Sequence, residues 1–237
     1  MFIDAQCSNY SKELQCFLLF KLVYPCGKAK LNKEAFQFIE YLEGISSRAT
    51  LNKYINFLRE IGWIVYNSKT QYFIFKSFDR IRKENNWKVR LAYQIDFNNY
   101  NKIKAVTGAV IYGYLHKDFW RKVKKQKSVQ LKGSTYYFLS PKFNYKEQYA
   151  PVSVNGVTQL FNISTATASR LKNEAFKEGL IKLKKNYSNT PINKKIMQFY
   201  LEYNDMKQNI VFNEGSYRLQ LIDTLYPLFY FSKRKSL

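Results

Sequence analysis

This 237-residue chain has one histidine, His116, three cysteines and few carboxylates. A single histidine cannot build the paired-histidine metal site of a rolling-circle nuclease, and with Cys7, Cys16 and Cys26 it makes no zinc-ligand spacing. The odd number of cysteines, none closely paired, gives no disulfide framework, so the thiols are expected reduced and partly buried. There is no glycine-rich phosphate loop of the Walker type. Long apolar runs are missing too: Cys16 to Phe20 is ended by Lys21, and Leu225 to Phe231 contains Pro227 and is too short to span a bilayer. Phe2-Ile3-Asp4 lacks the basic lead of a signal peptide. His116, beside Lys117 and Asp118, is expected at the surface or at a helix end. Asp205-Met206-Lys207 resembles the short last element of some nuclease motifs but has no acidic partner on a convincing strand, and the tyrosines are too numerous to single out a nucleophile. The expectation is a cytoplasmic protein that is not an enzyme and takes no metal, cofactor or membrane partner.

Against 17 Asp+Glu stand 39 Lys+Arg, a net charge of +22 and a pI near 9.8. That imbalance exceeds what solubility needs and favours a polyanionic partner. An AT-rich coding sequence would raise the lysine count, but it would not remove acidic residues. With 46% hydrophobic residues, 20 Tyr and 19 Phe, the chain is packed rather than disordered, so its surface carries the charge.

The stretch Ser47 to Val65 organises the reading. Leu51, Tyr54, Ile55 and Leu58 fall at i, i+3, i+4 and i+7, which is one buried helical face. Ser47 stands at the N-cap, Gly62 stops the helix, and Trp63 to Tyr66 read as a strand. Upstream, Ala35, Phe38, Ile39 and Leu42 repeat the spacing, and Glu43-Gly44-Ile45-Ser46 is a tight connection of helix-turn-helix length. Adding 117 to each position sets Ser47, Ala49, Thr50, Asn56, Gly62 and Ile64 on Ser164, Ala166, Thr167, Asn173, Gly179 and Ile181, with Lys53 on Arg170. The apolar face carries over as Ala168, Leu171 and Ala175. Two related modules in tandem are therefore expected.

In chain order, a first helix is expected over Ser11 to Tyr24, a short strand over Lys28 to Leu31, and a helix over Lys33 to Leu42 capped by Asn32. A hairpin follows, Gly62 to Tyr66 and Gln71 to Lys76, with Asn67 to Thr70 at its tip. Phe78 to Asn86 reads as a basic connector or short helix, and Val89, Leu91, Tyr93 and Ile95 as a half-buried strand. A long helix from Asn99 to Trp120 carries Ile103, Val106, Val110 and Tyr114 on one face. The run Arg121 to Lys132 contains no acidic residue; Tyr136 to Leu139 reads as a strand, followed by a polar loop up to Pro151. Ser153 caps a short helix with Val157, Leu160 and Phe161 inward, and Asn162-Ile163 turns into Ser164 to Glu178, two residues tighter than the first turn. A second hairpin is expected from strands Leu180 to Lys185 and Lys195 to Tyr203, with Lys182, Lys184, Lys185, Lys194 and Lys195 near its tip. The apolar stretch Leu219 to Phe231 belongs to a separate C-terminal segment that packs across the modules or forms a dimer contact.

FLREIGWIVY and FKEGLIKL, the helix end running through glycine into a strand, resemble winged helix-turn-helix DNA-binding domains, and the resemblance covers about half of the chain. It implies an α+β fold of two tandem winged-helix domains, each a helix-turn-helix with a β-hairpin wing. Domains are expected at 1–80 and 98–205, joined by a basic connector and linking strand at 81–97 and followed by a C-terminal segment at 206–237. Two such modules in tandem look like plasmid and phage replication initiators, which implies sequence-specific binding of double-stranded DNA at an origin of replication without nuclease activity. The insertion Arg121 to Pro151 has no counterpart in that pattern. A helix in the major groove reads bases with short polar and basic side chains. The expected DNA contacts are Arg48, Thr50, Asn52, Lys53 and Asn56 in the first module and Thr165, Thr167, Ser169, Arg170 and Asn173 in the second. Lys69, Lys184 and Lys185 are expected on phosphate from the wings. Competing roles are a transcriptional regulator and a winged-helix protein-interaction adaptor, whose further partners would be host replication or transcription proteins or a second copy of the chain.

Overall fold

The computed structural model describes residues 1–44, 47–87, 91–126, 128–137, 148–193, 195, 197–198, 210–229 and 231–233. The fold is α+β, and the chain forms two compact units, Met1–Thr107 with Tyr230–Leu237, and Gly108–Phe229.

The first unit opens with α1 (Phe2–Cys7), a short helix not foreseen from the sequence, and α2 (Ser11–Val23). Residues Leu14 to Phe20 of α2 are all buried, so this helix is the centre of the unit rather than one side of it. β1 (Lys28–Ala29) follows, then α3 (Lys33–Glu43) and α4 (Arg48–Glu60). Asn32 Oδ1 accepts the Ala35 N–H at 2.9 Å and starts α3, while Gly44, at φ +62°, ends it. The buried face of α3 is carried by Phe36 and Ile39; Phe38, expected inward, is 49% exposed. Leu51, Ile55 and Leu58 of α4 are buried as their spacing requires, worth roughly 5 to 9 kcal/mol before the entropy of ordering is counted. Ser47 occupies the N-cap position of α4 without a side-chain capping bond.

The end of α4 sets up the next strand. Gly62 takes φ +73°, its N–H reaches Arg59 O at 3.0 Å, and the Trp63 N–H reaches Leu58 O at 2.8 Å. β2 (Ile64–Asn67) and β3 (Tyr72–Phe75) then form an antiparallel hairpin, and β1 adds to β3, giving the order β1-β3-β2. The sheet closes over α2 through Phe20 stacked on Phe75 and Phe17 against Trp63. α5 (Phe78–Glu84) is a helix with Ile81 fully buried, capped by Ser77, and β4 (Leu91–Ala92) follows. Tyr93 and Ile95 lie outside that strand, and Val89 lies outside the described residues. α6 (Ile103–Gln126) begins later and runs further than expected, and the division between the units falls inside it. The connector at 81–97 is thus part of the first unit's packing, with Trp87 and Ile95 against its core.

In the second unit α6 buries Ala109, Ile111 and Tyr112, while Val110 and Tyr114, expected inward, are half-buried. β5 (Ser128–Leu131) and β6 (Ser134–Tyr137) form a hairpin that starts in the basic run and is turned at Lys132 (φ +48°) and Gly133 (φ +79°). Most of the loop up to Pro151 lies outside the described residues, as do Phe138 and Leu139. β7 (Ala150–Pro151) leads to α7 (Val154–Phe161), capped by Ser153 Oγ on the Gly156 N–H at 2.9 Å. Val157 faces inward, but Leu160 is 57% exposed. Asn162, in the left-handed region, ends α7, and Ser164 Oγ caps α8 (Thr165–Lys177) on the Thr167 N–H at 3.1 Å. The connection Asn162 to Ser164 is one residue shorter than Gly44 to Ser47, not two.

α8 and β8 (Ile181–Lys184) stand 117 positions after α4 and β2, end for end. The helix stop repeats as well: Gly179 at φ +66°, its N–H on Phe176 O, and the Leu180 N–H on Ala175 O. The return strand does not repeat. β8 pairs with β11 (Thr224–Pro227), not with Lys195 to Tyr203, of which Lys195, Met197 and Gln198 are helical and the rest lie outside the described residues. β7 adds to β11, so the order β7-β11-β8 matches β1-β3-β2. Between the paired strands lies an inserted arm that ends in the hairpin β9 (Ile210–Asn213) and β10 (Ser216–Leu219). Its two sides run together, with Leu221 N–H on Asn186 O, Ser188 N–H on Leu219 O and Ile192 N–H on Tyr217 O, and the Arg218 guanidinium ties Ser188 O and Asn189 O. The C-terminal apolar stretch is therefore split: β11 is the central strand of the second unit, and β12 (Ser232–Lys233) pairs with β4 in the first.

Candidate nucleic-acid interface

Burying Leu51, Ile55 and Leu58 turns the opposite face of α4 outward. Arg48, Asn52, Lys53 and Asn56 are exposed and Thr50 is half-buried. In α8 the buried set is Ala168, Leu171, Lys172 and Ala175, which leaves Thr165, Arg170 and Asn173 exposed and Thr167 and Ser169 half-buried. Each helix thus offers one polar stripe, and the equivalent residues Asn56 and Asn173, and Lys53 and Arg170, lie on it.

Two of these side chains have work inside the protein. The Arg48 guanidinium lies 4.0 Å from the centre of the Phe36 ring, so it is stacked back on α3 while staying exposed. The Thr167 hydroxyl accepts from Ser164 Oγ at 2.9 Å as part of the α8 cap. Lys69 sits exposed in the first hairpin's tip, where Asn67 Oδ1 accepts the Lys69 and Thr70 N–H groups. Lys184 and Lys185 are exposed, but they occupy the end of β8 and the start of the arm rather than a hairpin tip.

Neighbouring carboxylates sort the remaining cations. Arg121 and Lys122, which open the basic run, both pair with Asp118 one turn earlier, and the Lys122 hydrogen bond leads in lowering the Asp118 pKa. Around α5, Arg80 and the preceding Lys76 share Glu84, and Arg82 approaches Asp79. Lys177 leans on Glu174 at 3.7 Å. Among the described residues no such carboxylate faces Lys53, Lys69, Arg170, Lys184 or Lys185. The charge of these five side chains is therefore not offset by a paired carboxylate.

Beside these stand two lysines that the sequence reading did not single out, Lys28 and Lys30, and one, Lys182, that it placed near a hairpin tip. Lys28 and Lys30 stand over the Tyr72 ring, at 5.8 and 5.3 Å, and Lys182 over the Tyr226 ring at 5.4 Å. The signal was the period of two, Lys28-Ala29-Lys30 and Lys182-Leu183-Lys184, which sets alternate lysines on one face of a strand. His116, expected at the surface, is instead 2% exposed; its Nε2 meets Gln148 O at 2.6 Å, and burial lowers its pKa. It is a packed neutral imidazole donating one hydrogen bond. Asp205-Met206-Lys207 lies outside the described residues. Among the described residues no group of His, Cys, Asp and Glu could hold a metal ion, and no helix is long and apolar enough to cross a membrane. A shallow depression of about 540 Å³ between the end of α4 and β2 is lined by Asn56, Arg59, Glu60, Gly62, Ile64, Val65 and Tyr66. No family model, curated protein or solved structure matches this chain.

Proposed function

We propose that the chain is a sequence-specific double-stranded DNA-binding protein built from two winged-helix modules, acting as the replication initiator of a plasmid or phage. The observation that carries this reading is the repeat of one device in one frame: α4 and α8, each ended by the same glycine turn into a strand, each with an uncompensated polar stripe opposite its buried face. A helix of 13 residues with Asn, Thr and Lys or Arg on its outer side has the reach and donor set for major-groove base edges. Lys69, Lys184 and Lys185 flank the helices as phosphate contacts, and the net charge of +22 supplies the sequence-independent attraction.

Selection of bound duplexes from a random DNA pool tests this. An initiator returns a directly repeated motif, a transcriptional regulator a palindrome, and a chain that reads no sequence returns no motif. The adaptor role is favoured by a separate feature, the exposed Phe38 and Tyr41 on α3, 49% and 82% accessible. An adaptor in place of a DNA reader would return no motif and would bind duplex DNA no better than other polyanions.

A further inference from the structure

The outward face of the second unit's sheet carries chemistry that its fold does not require. Register places Pro151, Thr224 and Lys184 in one row across the three strands and Tyr226 beside Lys182 in the next, and Tyr149, just before β7, meets the Tyr226 ring. Tyr149 is 38% exposed and meets Tyr226 edge to face with centroids 4.9 Å apart, and the Lys182 ammonium lies 5.4 Å from the centre of the Tyr226 ring. Lys184 is exposed one row away, and none of the six positions is acidic. In the first unit the matching row holds Lys28, Ile74 and Val65, the frame equivalent of Lys182, with Ile74 and Val65 39% and 44% exposed, and the next row holds Tyr72 with Lys28 and Lys30 over its ring. A three-stranded sheet of this order therefore folds with aliphatic side chains at the places of Tyr226 and Lys182, so the ring and ammonium there are not required by the fold.

A duplex offers phosphates to such a face but keeps its bases stacked inside the helix. Tyrosine rings beside lysines instead match an unpaired strand, whose bases stack on the rings while its phosphates meet the ammonium groups. We propose that the outward face of the sheet β7-β11-β8 binds single-stranded DNA, with Tyr149 as the stacking ring, Tyr226 as its support, and Lys182 and Lys184 on the backbone. This adds a second activity to the duplex recognition proposed above and rests on the reading of the chain as a DNA-binding protein. For an initiator it would hold one strand of a locally opened site.

The test is fluorescence anisotropy of the full chain with a labelled oligo(dT) of about 12 nucleotides, in parallel with the duplex selected from the random pool. Tyr149→Ala should weaken oligo(dT) binding roughly 5- to 140-fold and leave duplex binding within about twofold. Tyr149→Phe should keep both. Equal retention of oligo(dT) binding by Tyr149→Ala, or an equal loss on duplex and single strand, would overturn the proposal. So would tighter binding of oligo(U) than of oligo(dT), which would assign the face to RNA. Ultraviolet cross-linking of the unaltered chain to oligo(dT) removes dependence on variant folding: adducts at Tyr149 or Tyr226 support the platform, and adducts confined to other segments contradict it. A chain that binds oligo(dT) through Tyr149 yet selects no duplex motif would overturn the duplex reading and leave the platform standing.

Discussion

At the residue scale, charge compensation separates cations paired with a carboxylate from cations that have none. Arg80, Arg121 and Lys122 have carboxylates; Lys53, Arg170, Lys184 and Lys185 face none among the described residues. Replacing Lys53 or Arg170 by Ala should cost about 1 to 3 kcal/mol on the preferred duplex and relax preference at the bases each reaches. Lys184→Ala and Lys185→Ala should instead weaken all sequences alike and lower the salt slope by roughly one unit per lost contact, as read by binding at several salt concentrations. Equal losses from both classes on cognate and scrambled duplexes would make all four solvated surface charges. A different balance governs His116. Its pKa is lowered in the folded chain because burial disfavours the imidazolium, so the unfolded chain binds more protons in acid. The stabilisation is fully present above the ordinary histidine pKa of about 6.5 and is lost as pH falls below it toward the folded value. Thermal unfolding followed between about pH 7.5 and 5 should show the midpoint dropping more in the native chain than in His116→Gln, with an unchanged difference counting against this role.

At the scale of elements, the two polar-faced helices are held by different means. α4 uses Leu51 and Leu58, whereas α8 has Ala168 and Ala175 at the equivalent places and lets α6 approach closely. A Cβ added at Gly108 would stand 2.0 Å from Leu171 O, and the Tyr112 hydroxyl donates to Ala168 O at 3.1 Å. Gly108→Ala should therefore push α6 off α8 and destabilise the second unit by about 1 to 3 kcal/mol or more, measured by denaturant unfolding; an unchanged midpoint would mean the helices are less tightly apposed. Where α4 buries Ile55, α8 buries Lys172, paired at 2.5 Å with Asp223 at the arm's return. Lys172→Met alone leaves a buried carboxylate and should cost roughly 3 to 5 kcal/mol, most of it regained in Lys172→Met with Asp223→Leu. A double variant as unstable as the single one would show that the pair's attraction outweighs its desolvation. The helices were legible in the sequence because their apolar spacing, caps and glycine stops are local and recur at one offset. β11 was not, because β8 finds it about 40 positions later, beyond an arm whose length no local pattern encodes. The hairpin turns Lys132-Gly133 and Glu214-Gly215 were also missed: both residues of each take positive φ, but neither pair is the Asn-Gly or Asp-Gly that usually announces this turn.

At the scale of the whole molecule, the division falls inside α6 because a pause in apolar periodicity does not mark a boundary: Ile81, within the apparent connector, is fully buried in the first unit. The two units share one frame, α4 with β2 and α8 with β8. If each neutralises several phosphates, with 6 to 10 contacts in all, affinity for duplex should fall roughly 10³- to 10⁵-fold between 50 and 200 mM salt, and a nearly flat profile would detach the +22 charge from nucleic acid. The central claim is that α4 and α8 are two reading helices of one design. It is tested most directly by repeating the random-pool selection with Asn56→Ala and Asn173→Ala, the same position in the two copies and exposed in both. Each variant should relax preference at its own, separate set of base positions while keeping the other set. Motifs identical to that of the unaltered chain in both variants would contradict the account.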